Sequence, residues 1–114
     1  MPNPTQKIMA WLRSKENSTL NITKEEDGDQ DKIELLFERV DFVEHHDPGD
    51  YLAKQALLLH GRGETMTDFG QKPLPGGIFE IALNGKWSAE VKDSSLHLST
   101  DRGAYKIVAT AKNN

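Results

Sequence analysis

The stretch GIFEIALNGKWSAEVKDSSLHLSTDRGAYKIVATA, Gly77 to Ala111, reads as four short strands folded back and forth on one another. Phe79, Ile81 and Leu83 alternate with Glu80 and Ala82, and Trp87, Ala89 and Val91 alternate with Ser88 and Glu90. Leu96 and Leu98 then alternate with His97 and Ser99, and Tyr105, Ile107 and Ala109 with Lys106, Val108 and Thr110. Period two is the pattern of a strand buried on one face. Asn84-Gly85, Asp93-Ser94 and Asp101-Arg102-Gly103 supply turn residues between the runs.

Register follows from keeping the apolar faces on one side, because a slip of one residue sends the whole set into water. A two-residue turn at Asn84-Gly85 would set Ala82 against Trp87 and fails that test. A three-residue loop or a bulge, pairing Leu83 with Trp87, Ile81 with Ala89 and Phe79 with Val91, satisfies it and is expected. A two-residue turn at Asp93-Ser94 pairs Val91 with Leu96 and Ala89 with Leu98. The last turn, at Arg102-Gly103 or across Asp101–Ala104, pairs Leu98 with Ile107 and Leu96 with Ala109. The same register places Glu80, Glu90 and His97 in one cross-strand row opposite the core.

Upstream, Asn3 or Thr5 can cap a helix with Pro4 in its first turn, ending near Lys15 and presenting Ile8, Trp11 and Leu12 on one face. Such a helix is marginal alone, so Trp11 is expected to dock on the sheet. Ser18–Lys24 reads as a strand of low hydrophobicity at an edge, followed by an acidic loop over Glu25–Asp31. In Lys32–Glu44, Ile33, Leu35 and Phe37 alternate, and so do Val40 and Phe42. The two halves join only through a phase change near Glu38-Arg39, which a β-bulge provides. Helical spacing of Ile33, Leu36, Phe37 and Val40 is the alternative, and would make the fold α+β. Tyr51–His60 returns as a strand, and the Gly- and Pro-rich stretch His60–Gly77 reads as a long loop.

The expected fold is therefore mainly β, an antiparallel sandwich or small open barrel with a C-terminal four-strand meander and one short N-terminal helix. At 114 residues the chain fits one domain, a helical appendage over residues 1–16 and a β-rich body over 17–114. The absence of cysteine removes disulfides, thiolate metal sites and cysteine nucleophiles from consideration. No apolar run approaches the ~20 residues of a membrane span, and the polar start lacks a secretory pattern, so a cytoplasmic protein without membrane contact is expected. A net charge of −4 with scattered basic residues argues against a nucleic-acid partner.

Two groups of candidate site residues emerge. His60, Arg62 and Glu64 lie in the expected loop, and loops on a rigid sheet carry binding more often than the sheet does. The Glu80, Glu90 and His97 row would repel itself unless solvated or shared with a proton, a metal or a substrate group. The Glu44–Asp50 turn holds His45, His46 and three acids, but adjacent side chains of an extended chain point apart, and the Glu25–Asp31 acids lack calcium-loop spacing. No metal and no cofactor is expected. No P-loop, HExxH or dinucleotide fingerprint occurs in the sequence. The reading is a non-enzymatic binding domain for a protein or small-molecule partner, with homodimerisation open; the alternative is a small hydrolase or metal-assisted enzyme using convergent Glu and His.

Overall fold

A computed structural model describes residues 3–45, 54–67, 70–73, 75–83 and 86–110. Helix α1 (Pro4–Ser14) leads into strands β1 (Thr19–Glu26), β2 (Asp29–His45), β3 (Lys54–Thr67) and β4 (Gly70–Pro73). A short 3-10 turn, Pro75–Gly77, precedes β5 (Ile78–Ala82), and β6 (Ser88–Val91), β7 (Ser95–Ser99) and β8 (Ala104–Thr110) follow. Among the described residues every strand pairing is antiparallel, in the order β4-β3-β2-β1-β8-β7-β6, and β5 pairs with Ala56–His60 on the same edge of β3 that β4 pairs from Glu64 to Thr67. The protein is mainly β with one short helix, and among the described residues β5 and β6 do not pair, so the sheet is open there.

Phe79 on β5 and Tyr105 on β8 meet edge to face at 6.4 Å, although three strands separate them in the sheet order. The sheet therefore curls until its inner faces share one interior. Leu20 and Ile22 of β1, Ile33, Leu35 and Phe37 of β2, Leu57 and Leu59 of β3, Ile81, Leu96, Leu98 and Ile107 fill it. Buried and outward positions alternate along each strand, as one-sided burial requires, and the outward ones are mostly polar, with Leu36 and Leu58 among the exceptions.

Helix α1 begins with a reciprocal cap. The Asn3 side chain accepts from the Gln6 N–H at 2.8 Å, and the Gln6 side chain accepts from the Asn3 N–H at 3.0 Å. Its apolar stripe, Ile8, Trp11 and Leu12, is buried against β2 and β6. The Trp11 indole Nε1–H donates to the Lys92 carbonyl at 2.9 Å, which ties the helix to the β6–β7 turn. The sequence-based placement of Trp11 on the sheet holds.

Strand β2 settles the 32–44 segment as a strand, with its register shift between Phe37 and Arg39. The shift keeps Ile33, Leu35 and Phe37 on the inside before it and Val40 on the inside after it. Phe37 is held from both sides. The Phe37 N–H donates to the Ser18 carbonyl at 2.9 Å, the Asn17 N–H donates to the Phe37 carbonyl at 2.7 Å, and Gly61 is its register partner on β3. A Cβ at Gly61 would stand 2.1 Å from the Leu36 carbonyl oxygen, so the β2–β3 approach at the bulge admits only glycine there.

Several expectations need correction. Strand β5 pairs with β3, Leu57 opposite Ile81 and Leu59 opposite Phe79, and not with β6. Any strand with an apolar face satisfies the alternation test, and β3 offers a long second edge that needs a partner. The four-strand meander is thus a three-strand one. Its Val91–Leu96 and Ala89–Leu98 pairs are as expected, but β8 is shifted by two residues, with Leu96 opposite Ile107 and Leu98 opposite Tyr105. A shift of two leaves every face unchanged, so patterning cannot see it. The turn is Asp101-Arg102, where Thr100 Oγ1 accepts from the N–H groups of Arg102 and Gly103. Val91, expected inside, is 41% exposed at the end of β6.

Strand β1 is not an edge strand, since it lies between β2 and β8. Its low hydrophobicity reflects an outer face of Thr19, Asn21 and Thr23. The expected acidic loop is mostly strand, closed by a two-residue Asp27-Gly28 turn with φ of 51 and 84°, the conformation a tight hairpin needs. The expected His60–Gly77 loop is largely β3, β4 and the 3-10 turn. Inward positions of this part of β3 carry Gly61, Gly63 and Thr65, so no apolar alternation announces the strand. Tyr51 and the turn residues His46–Asp50 lie outside the described residues.

Two measurements probe this packing. Gly61→Ala is expected to destabilise by about 3 kcal/mol, the upper end of ordinary overpacking, lowering Tm by roughly 10–15 °C in a chain this size; a Tm within about 2 °C of wild type would contradict the close approach. Burial pushes the Tyr105 phenol above its ordinary value of 10.0, with Lys24 opposing the rise. The unfolded chain then ionises first, so stability is fully present below pH ~10 and is lost as pH rises through the folded-state value. Denaturant titrations between pH 8 and 11 should show a steeper alkaline loss for wild type than for Tyr105→Phe, and equal slopes would show that the phenol is not buried.

Candidate functional site

The outer face of β1, β2, β3, β7 and β8 carries three adjoining hollows. The first, about 220 Å³, is lined by Glu34, Leu36, Arg62, Gly63 and Glu64. The second, about 130 Å³, shares Glu34 and adds Asn21, Ile22, Thr23, Lys32 and Ile33. A third, about 270 Å³, shares Thr23 and reaches His97, Ser99 and Lys106. Each is smaller than the ~300–1,000 Å³ of a small-molecule cleft.

Register explains who meets whom on this face. Outward positions of β2 and β3 pair as Leu36 with Arg62 and Glu34 with Glu64. Two carboxylates therefore oppose each other directly across strands, which costs stability when nothing lies between them. Among the described residues neither Glu34, Glu64 nor Arg62 forms an ion pair. Leu36 beside them is 56% exposed, the most exposed large apolar side chain among the described residues.

The two expected residue groups are redistributed. His60, Arg62 and Glu64 all sit on strand β3, two residues apart, and so face outward together. Arg62 and Glu64 line the first hollow, and His60 does not. Beyond the bulge, the side chain of His60 is 17% exposed, and its Nε2 lies 2.8 Å from Asp41 Oδ2 at angles outside hydrogen-bond geometry. A His–Asp pair supplies two members of a hydrolytic constellation, and it is separate from the hollow. The Glu80, Glu90 and His97 row is broken by the β5 pairing. Glu90 stands opposite His97 and 3.7 Å from Lys92, whereas Glu80 stands opposite Leu58 on β3.

Metal-ligating side chains do not gather in groups of three or more among the described residues. None of the described helices is long and apolar enough to cross a membrane. Sequence reasoning passed over Leu36 and Glu34. The signal for Leu36 was present, since it is the one large apolar side chain in the outward phase of the Ile33, Leu35, Phe37 alternation. Glu34 needed the β2–β3 register, which opposes it to Glu64.

The comparisons with known proteins agree with one another. A family model described as YmzB-like protein matches residues 1–112. A protein of Bacillus subtilis (strain 168), named "Uncharacterized protein YmzB", is 36% identical over 113 residues, covering 94% of this chain and 96% of its own length. No solved structure matches. The chain belongs to the YmzB-like family.

Proposed function

We propose that the protein is a non-enzymatic interaction module of the cytoplasm that engages a protein partner through the outer face of β2 and β3. The carrying observation is the exposed Leu36 set in one hollow among three charges, Arg62, Glu34 and Glu64, that form no ion pair among the described residues. An apolar centre with a charged rim is the anatomy of a protein contact. The surface is backed by paired strands, with β2 between β1 and β3 and with β4 joining β3 from Glu64 onward. The cysteine-free composition is in keeping with a reducing compartment. Hollows this shallow suit side chains of a partner better than a buried substrate.

Site-specific photo-crosslinking tests the surface without presupposing the partner. With Leu36 replaced by p-benzoylphenylalanine in cells expressing the protein, covalent adducts to protein are expected on irradiation, whereas the same replacement at the outward Glu80 should give few or none. Equal yields at both positions, or none at position 36, would remove the β2–β3 face as the contact.

A further inference from the structure

We propose that the occupant of this face is a second copy of the same chain, docked about a two-fold axis that crosses the strands between the Leu36–Arg62 row and the Glu34–Glu64 row. The proposal rests on the preceding reading of the outer face as a protein contact, and goes beyond it by naming the partner. Its basis is charge complementarity built into a single strand. Arg62 and Glu64 lie two residues apart on β3, both exposed, both facing out, about 7 Å from one another along the strand. They carry opposite signs, and neither is paired among the described residues.

A two-fold operation exchanging the two rows brings Arg62 over the partner's Glu64 and Glu64 over the partner's Arg62. One pair of residues thereby yields two equivalent ion pairs, as an isologous contact requires. Leu36 comes over the methylenes of the partner's Glu34, and the reverse contact forms across the axis. The arginine of the other copy, seated over Glu64, offsets the repulsion between that carboxylate and the Glu34 carboxylate opposite it. A uniformly acidic partner would meet Glu34 and Glu64, and a uniformly basic one would meet Arg62. The partner must carry both signs at the spacing of one strand repeat, and a second copy does so by construction. Repulsion between two chains of net charge −4 is screened beyond ~8 Å at physiological salt, so the close pairs decide.

Sedimentation equilibrium with charge-swap variants tests the proposal. Wild type is expected at twice 12.8 kDa. Arg62→Glu and Glu64→Arg should each raise the dimer dissociation constant by about ten-fold or more, because like charges then face each other, and Leu36→Asp should do the same. The double variant R62E/E64R restores opposite signs at both contacts and should return to within about three-fold of wild type, a recovery that misfolding cannot imitate. A wild type sedimenting at 12.8 kDa, or a double variant as weak as the single ones, overturns the proposal. If position 36 crosslinks to a different protein while the wild type is monomeric, the contact face stands and the second copy falls. If it neither crosslinks nor dimerises, both readings fall.

Discussion

The structure depends on one close approach, that of the β3 backbone to the β2 backbone where Gly61 passes Phe37 and Leu36. Strand β2 is 17 residues long, too long to keep one face inward without a change of phase as the sheet curls. The extra residue at the bulge supplies the phase change, and glycine at position 61 supplies the room. On the other side, Asn17 and Ser18 bond both backbone groups of Phe37, which fixes the point at which helix α1 hands over to β1. The bulge thus divides the β2–β3 hairpin into two stretches. One pairs β1 to β2 and β4 to β3; the other pairs β5 to β3.

Much of this was legible from alternation alone, because period two is a direct image of one-sided burial. The bulge near Glu38-Arg39 could be read from two alternating runs out of phase, and the inward side chains of β7 and β8 from Leu96, Leu98, Tyr105 and Ile107. The partner of each strand was less legible. Ile81 fits against Ala89 as well as against Leu57 by pattern, and the choice is made by the free edge of β3, a tertiary fact. Leu98 likewise fits Ile107 or Tyr105, since shifts of two are invisible to facing. Strand β3 beyond His60 was hidden because glycine and threonine occupy its inward positions, and glycine is also the mark of a loop.

The candidate site was half legible for the same reason. Arg62 and Glu64 were chosen as loop residues and turn out to be neighbours on one outward strand face, where their spacing has geometric meaning. Leu36 was visible as an apolar residue in the wrong phase of β2, a misfit that a solvated outer face does not need. Glu34 could be joined to them only through the β2–β3 register. The row of Glu80, Glu90 and His97 assumed a β5–β6 pair, and without that pair it reduces to Glu90 opposite His97. Membership in the YmzB-like family covers the length of the chain, so the bulge and the outer face both lie within the shared region.

The strand order is the claim on which the shared interior and the outward face both depend, and cross-strand nuclear Overhauser effects test it most directly. Short backbone proton contacts are predicted between Ile22 and Ile107, which join β1 to β8, and between Leu57 and Ile81, which join β3 to β5. Contacts instead between Ile81 and Ala89, with none between Leu57 and Ile81, would return β5 to β6 and contradict the account.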